Sequence, residues 1–492
     1  MAPMMRSVPY KTVTVTIGPR GRNCSATSGT EPSRPPNRPP AAARIARVTA
    51  LPTIEPAPLA AAALSSYPPP PQNWEQLGVP ETMVSDIVLK LLYFNGTMMG
   101  RDIAHRACVA WPFVSQVLKP LSDQGWVQSA GFRDSGASRT LLPDEDIGAS
   151  MAYMITSQGR ERARDLCDIN QYIGPVPVPY EVYVHMAQVD AQRTNNISLD
   201  DLRRALGHLT LTEDTLLTLG PAVNERHTLF IYGAPGNGKT SIAETLCRLM
   251  GPPLFVPHAL FVQGQVIRYF DPIHHLPHRT ELPAHDRRWV LVERPAVAVG
   301  GELTPEMLGL GFDRTLGYYE ASVQMKANGG VFLVDDFGRQ AAISPQNFLN
   351  RLIVPLERGI DHATLSRAGT SITVPFTTML VLSSNLEPSQ LVDEAFLRRL
   401  HFKVSVPDPS EPQFRAIWAS ACRTANIEYD DAAIDYLLAQ WYASSDPPRP
   451  YRGVHPRDIL KHVVHAARFR SRQPRLDHDL IDAACAAYFL MA

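Results

Sequence analysis

The sequence predicts an α/β chain built on a doubly wound parallel sheet, followed by a helical region and preceded by a smaller helix-and-hairpin domain and a proline-rich tail. Three observations carry this expectation. Short apolar runs at 227–232, 330–334 and 378–383 read as strands covered on both faces, since a strand with no solvent face has no need of alternating polar residues. The first of these runs enters a glycine-rich loop that opens a helix. From residue 411 onward, Phe414, Ile417 and Trp418, then Ile434, Leu437 and Leu438, recur at the spacing of an amphipathic helix.

The chain has 492 residues, 45% of them apolar, which is ample for several buried cores. Lys plus Arg number 47 against 48 for Asp plus Glu, a net charge of −1 that excludes a globally basic nucleic-acid coat and an acidic solvating chain alike. No apolar stretch approaches the roughly 18 residues a bilayer crossing requires, so no membrane span is expected. Cys24, Cys108, Cys167, Cys247, Cys422 and Cys485 are scattered without a CxxC pair. That pattern argues against a disulfide framework or zinc knuckle and fits the reduced thiols of a cytoplasmic protein.

Residues 1–78 read as a disordered tail. Positions 1–71 hold 15 of the 44 prolines, with eight Lys or Arg against two Asp or Glu, a net of +6 that leaves −7 for the remainder. Prolines remove ladder donors, and so little apolar surface cannot offset the entropy of ordering. An arginine-rich, acid-poor start also suits a transit peptide, but no long amphipathic stretch accompanies it.

The second region, 79–178, should be compact. Helices are expected at 84–94, 101–108 and 112–123, stopped by Asn95-Gly96 and by Gln124-Gly125. Extended pieces at 126–127 and 151–156 flank a Gly/Ser-rich stretch, and a helix at 158–167 closes the unit. Three helices, a hairpin and a closing helix resemble a winged-helix module, and Ile155-Thr156-Ser157-Gln158-Gly159-Arg160 resembles the end of the wing in MarR-type domains. In such domains the third helix reads the major groove. Here it offers a single cation, Lys119, and carries Pro120, which should kink it. Phosphate neutralisation needs several cations on one face, so charge favours docking to protein, or a purely structural role, over DNA. Ile173-Gly174-Pro175-Val176-Pro177-Val178-Pro179 reads as an extended, stiff connector.

The chemistry lies in 179–410. The run at 227–232 enters Gly233-Ala234-Pro235-Gly236-Asn237-Gly238-Lys239-Thr240, a full match to G-x-x-x-x-G-K-[ST], and a helix should follow to Met250. Glycines let the backbone wrap a phosphate, with successive N–H groups and the helix start facing its charge. Lys239 should reach the terminal phosphates and Thr240 should hold Mg²⁺, with Ser241 completing the cradle. Gly330-Val331-Phe332-Leu333-Val334 ends in Asp335, expected on Mg²⁺, and Asp336, the candidate base that orients water. The strand ending at Ser383-Ser384 delivers Asn385, an amide able to bond a phosphate or the water. Arg398 and Arg399 supply guanidinium groups suited to transition-state phosphate, and Arg457 sits at a helix start opened by Pro456.

Taken in this order, the motifs resemble those of AAA+ ATPases, in which P-loop, Walker B, sensor-1 asparagine, arginine finger and sensor-2 arginine fall on Lys239, Asp335, Asn385, Arg398 or Arg399, and Arg457. The resemblance runs from about Ile197 to the C-terminus. A helix from Ser344-Pro345 to Arg358-Gly359 and a hairpin around Arg367-Ala368-Gly369-Thr370 resemble the insertion before sensor 1 in MoxR-like members. Asp336 stands where many relatives have Glu, one methylene longer. The resemblance implies a P-loop NTPase fold with a helical lid at 411–492, ATP and Mg²⁺ as ligands, and a homo-oligomeric ring, commonly a hexamer, completed by a trans arginine. It further implies remodelling of a protein client, with a DNA-associated ATPase (loader or regulator) as the alternative and a nucleotide-binding scaffold as a third reading.

Lys239 and Asp335 are 96 positions apart, which suggests extra strands and loops from 253 to 329. His258, His274, His275, His278 and His285 fall there. Without cysteine, and with Pro272 and Pro277 interrupting, they read as a polar surface loop rather than a metal site.

Overall fold

The computed structural model describes residues 67–131, 147–209, 211–280, 282–391 and 398–489. The expected tail before residue 67, and Asp393 to Leu397 of the arginine motif, lie outside the described residues. Residues 67–78 lie along the fold and are anchored at Pro68 and Leu77. Trp74–Leu77 forms a helical turn (α1), Leu77 is wholly buried, and Asp286 donates its N–H to the Pro68 carbonyl at 2.8 Å.

The first module runs Glu81–Asn95 (α2), Met98–Met99 (β1), Gly100–Ala107 (α3), Trp111–Asp123 (α4), Val127–Gly131 (β2), Ala152–Ile155 (β3) and Ser157–Ile169 (α5). Its antiparallel sheet has the order β1-β3-β2. In α2, Val84, Ile87, Val88, Leu91 and Leu92 line one stripe and pack on Phe113, Val117, Leu118 and Leu121 of α4. Each such burial contributes ~1.5–3 kcal/mol. The helix α4 continues past Pro120 to Asp123. Thr156 caps α5 by accepting from Gly159 N–H at 3.0 Å. Any side chain at Gly159 would meet the Trp126 carbonyl, which lies 2.1 Å from where its Cβ would stand.

The extended connector is built into the fold, and its last two residues form a strand. Val176 and Val178 are fully buried, and Val178–Pro179 (β4) pairs in parallel with Ala259–Val262 (β7). Next come Tyr180–Ala191 (α6), Leu199–Leu206 (α7) and Glu213–Asn224 (α8), then Leu229–Tyr232 (β5) and Lys239–Leu249 (α9). The stretch from 253 to 329 contributes Leu254–Pro257 (β6), Gln265–Arg268 (β8), Trp289–Val292 (β9), Ala296–Val299 (β10), Gly311–Asp313 (β11), Tyr318–Glu320 (β12) and Val323–Lys326 (α10). One sheet has the order β11-β12-β8-β7-β4, and β6 pairs with β9. The strand β10 does not belong to the insertion. It forms the edge of the central sheet.

That central sheet has the order β10-β13-β16-β5-β17, with Val331–Val334 (β13), Met379–Ser384 (β16) and Phe402–Ser405 (β17), and every pairing is parallel. Period-two alternation sends Leu229, Ile231, Val331, Leu333 and Val381 to the face covered by α8 and α9. Phe230, Phe332, Val334, Leu380 and Leu382 face the other way, against Phe348, Leu349 and Leu352 of Pro345–Arg358 (α11). Helices on both faces explain the continuous apolar runs. After α11 the hairpin Ile360–Leu365 (β14) and Thr370–Pro375 (β15) forms where expected. The helical turn Pro388–Leu391 (α12) precedes β17. Glu411–Ala425 (α13), Asp431–Leu437 (α14), His455–Phe469 (α15) and His478–Tyr488 (α16) enclose a separate core around Phe414, Trp418, Ile434, Ile459 and Ile481.

His275 departs from the surface-loop expectation. It is fully buried, stacked on Tyr269, with Nδ1 accepting from Asp271 N–H at 3.0 Å and Nε2 2.9 Å from the Lys326 carbonyl. Its flanking loop stays exposed because Ile273 and Leu276 point outward. The first module is fastened to the insertion by Arg288, itself buried against Asp286, which donates to the carbonyls of Leu77 (2.8 Å) and Pro177 (3.2 Å).

Two stability outcomes follow from these contacts. Arg288→Met strands the buried Asp286 carboxylate and should destabilise the chain by about 3–5 kcal/mol. Urea unfolding measures this, and proteolysis near Leu77 should accelerate. Burial also pushes the His275 imidazole down to about 4. The unfolded chain therefore takes up a proton from about pH 6.5 downward while the fold resists it. Stability present above that pH is lost as pH falls toward 4, by about 3 kcal/mol in full. The urea midpoint should drop more steeply between pH 7 and 5 in the native chain than in His275→Gln, and equal slopes would refute this account.

Candidate functional site

The carboxyl ends of β5, β16 and β13 lie side by side because Ser384 pairs with Tyr232 and Leu382 with Val334. The residues that follow these strands therefore converge: the loop from Gly233, Asn385, and Asp335-Asp336. The loop turns on Gly233 (φ 143°), Gly236 (φ 84°) and Gly238 (φ 87°). A Cβ at Gly233 would stand 2.2 Å from the Val406 carbonyl and one at Gly236 2.5 Å from Val454 Cγ1. Only glycine combines these dihedrals with such close approaches.

Lys239 opens α9 and is nearly buried. Its Nζ donates to Gly233 O at 3.0 Å, to Ala234 O at 3.1 Å and to Asn385 Oδ1 at 2.7 Å. Burial pushes its ammonium below the usual lysine value, while the carboxylates of Asp335 and Asp336 pull the other way. Thr240 Oγ1 donates to Asp335 Oδ2 at 2.8 Å, and Asp335 Oδ1 accepts from Asp336 N–H at 3.0 Å. Asp336 occupies the left-handed region at φ 47°, an uncommon state for a side-chain-bearing residue. Two contacts hold it there. Asn385 Nδ2 donates to Asp336 Oδ1 at 2.7 Å, and Gln340 Nε2 donates to the carbonyls of Asp335 (3.0 Å) and Asp336 (3.2 Å). Asn385 thus bridges the lysine and the second aspartate.

These groups open on a cleft of about 520 Å³. Its lining combines the polar groups of Lys239, Thr240, Asp335 and Asp336 with the apolar side chains of Leu209, Leu211, Val406, Ile417 and Val454. A phosphate-type cradle bordered by apolar side chains matches a ligand that joins anionic groups to a planar base. Thr240 and Asp335 present hard oxygen donors of the kind magnesium takes. Ser241 and Pro235 also line the cleft.

The segments that lead into α13 and α15 are fastened to the glycine loop through Asn237. Its Nδ2 donates to Asp408 Oδ1 at 2.8 Å and Pro407 O at 3.2 Å, and its Oδ1 accepts from Gly453 N–H at 3.0 Å. Arg452 pairs with the same Asp408 carboxylate. Arg457 lies at the mouth with its side chain 66% exposed, its Nε donating to Asp458. Arg398 and Arg399 do not line this cleft, and Arg399 Nε donates to Glu357 Oε1 at 2.9 Å at the end of α11. Of the residues read from sequence, the loop with Ser241, Asp335, Asp336, Asn385 and Arg457 come together, and the arginine pair stands apart. Sequence reasoning missed Gln340, Asp408 and Arg452. None belongs to a local pattern, although the variable loop position at Asn237, a capable amide, was a usable signal.

A family model described as a domain of unknown function (DUF8689) matches residues 410–487. No curated protein sequence matches the chain. Similar solved structures include NtrX from Brucella abortus in complex with ATP, at 15% identity and TM-score 0.37, covering 60% of this chain and 60% of that one. A point mutant of RuvB from Thermotoga maritima is similar at 13% identity and TM-score 0.34, covering 59% of this chain and 71% of that one. The chain thus spans less than two thirds of the NtrX length.

Asn237→Ala removes three hydrogen bonds that tie the loop to the segments leading into α13 and α15, each worth about 0.5–1.5 kcal/mol. Amide exchange around 452–458 should accelerate while the central sheet stays protected. Unchanged protection there would mean that the side chain does not fasten the helices.

Proposed function

We propose that the chain is an AAA+ ATPase of the MoxR-like type, with a MarR-like winged-helix module at 79–178, an ATPase core at 179–410 and a helical lid at 411–492. It binds and hydrolyses Mg-ATP between subunits of a homo-oligomeric ring, a hexamer, to remodel or assemble a protein client. The observation that carries this reading is the 2.8 Å contact between Thr240 Oγ1 and Asp335 Oδ2 beside the buried Lys239 ammonium. Two hard oxygens and a cation converge there on the glycine cradle, a donor set matched to a metal-bridged polyphosphate.

The roles follow from charge and reach. The loop N–H groups and the start of α9 hold phosphate oxygens. The ammonium of Lys239, resting on neutral carbonyls, gains a charge-assisted partner when those oxygens arrive. Thr240 and Asp335 hold Mg²⁺, which when bound neutralises the charge that gathers on the phosphates. Asp336 orients the attacking water and takes up its proton, and Asn385 fixes the carboxylate that does so. Arg457 reaches the phosphates from the lid side. Arg398 or Arg399, standing outside the chain's own cleft, serves the cleft of the next subunit.

A protein client is favoured over duplex DNA by the surface of α4. Lys119 is its one cation, and Gln116 is engaged by Trp74 Nε1 at 2.7 Å while the Trp74 ring rests edge-on against Phe113. A helix so nearly neutral makes a poor major-groove reader.

Three measurements test this. Asp336→Asn should retain ATP while phosphate release falls by at least ~10²-fold. Lys239→Ala should lose both, and native chain as silent as Lys239→Ala would remove the enzymatic reading. Arg398→Ala should be inactive alone and regain part of its turnover when mixed with Lys239→Ala, since mixed interfaces reunite an intact cradle with an intact arginine. If neither Arg398→Ala nor Arg399→Ala shows such rescue, the shared site is abandoned.

A further inference from the structure

The outer flank of α15 carries a row of cations. Arg457, Lys461, His465 and Arg468 are all exposed and recur at intervals of four, four and three residues. At about 100° per residue this confines them to an arc of about 80°, along about 16 Å of helix. The opposite flank, with Ile459, Leu460, Val463 and Ala467, is buried in the C-terminal core. The row ends at Phe469, whose side chain is 92% exposed. The turn into α16 then adds Arg470, Arg472 and Arg475, all exposed.

Internal pairing leaves this surface positive. Residues 455–479 hold six Lys or Arg against three Asp or Glu. The single carboxylate of Asp458 serves both Arg457 (3.1 Å) and Lys461 (3.3 Å), and Arg470 and Arg472 share Asp477 and Asp479. Among the described residues, Arg468 and Arg475 make no ion pair. A phenylalanine ring standing in water amid guanidinium groups contributes nothing to the fold, because it buries no surface there. Its two faces are offered to a partner.

The partner's chemistry follows from that combination. An acidic polypeptide would use the cations and leave the ring idle. Duplex DNA keeps the faces of its bases stacked inside. A single strand presents phosphates and open base faces together, which a basic row with an interleaved aromatic ring complements. We propose that the outer flank of α15 binds single-stranded nucleic acid, with phosphates on Lys461, Arg468, Arg472 and Arg475 and a base stacked on Phe469. The site is independent of the ATPase reading, although its near end, Arg457, stands at the mouth of the nucleotide cleft.

The test is fluorescence anisotropy of a labelled 20-nucleotide oligothymidylate with the full chain. Native protein should bind it, and affinity should fall about 50-fold between 50 and 200 mM salt if the four cations neutralise about four phosphates. Phe469→Ala should weaken binding about tenfold at fixed salt and leave the salt slope unchanged, since stacking releases no counterion. Arg468→Ala with Arg475→Ala should flatten the slope. The basic N-terminal segment is present in every variant, so its contribution cancels. Thermal melts should not move, because all three side chains are exposed. No binding, or equal binding by all variants, overturns the proposal. So does polyglutamate competing as well as the oligonucleotide for native and Phe469→Ala chains alike, which would assign the flank to an acidic protein.

Discussion

The parallel register of three neighbouring strands is the constraint on which the rest of the site depends. Because β16 lies between β5 and β13, Asn385 emerges between the glycine loop and the Asp335-Asp336 pair. It can then accept from Lys239 with one amide atom and donate to Asp336 with the other. A carboxylate in water would compete for that ammonium by charge, and an unheld Asp336 would leave its uncommon backbone conformation. The amide prevents both. It supplies an acceptor to the lysine and a donor to the aspartate, so neither group collapses onto the other. The alternating apolar residues of the strands hold this register from below, and one slipped residue would turn Phe230 and Leu382 to the wrong face.

Around that centre the molecule is fastened by contacts between segments distant in sequence. Asn237 reaches Asp408 and Gly453, so the glycine loop is tied to the segments that lead into α13 and α15. Arg288 ties the first module and the segment before it to the inserted sheet, and β4 makes the connector a strand of that sheet. The module is therefore seated on the insertion rather than tethered loosely to it.

Much of this was legible in the sequence, for identifiable reasons. Gly233 to Thr240, Asp335 and Asn385 each follow a short apolar run, and a buried strand leaves its first polar residue at the carboxyl edge of the sheet. The helix and hairpin from Pro345 to Pro375 announced themselves through Ser344, Gly359 and the turn around Arg367-Ala368-Gly369-Thr370. What escaped depends on tertiary distance. Asn237 and Gly453 are 216 residues apart, and no local pattern marks Arg452 or Asp408 as their companions. Four alternating small residues, Ala296 to Val299, do not declare whether they pair with β13 or with the insertion. His275 sits among prolines and histidines that look solvated, yet one imidazole closes the turn from inside by meeting two backbone groups.

The central claim is that magnesium-bound triphosphate sits where Lys239, Thr240 and Asp335 converge. Calorimetric titration of well-folded chain with a non-hydrolysable ATP analogue addresses it most directly. The account predicts one saturable uptake per chain, strengthened by magnesium and lost on replacing Thr240 with valine, which keeps shape and removes the hydroxyl. Folded protein that takes up no analogue with magnesium present, or takes it up equally well without the hydroxyl and the metal, would contradict it.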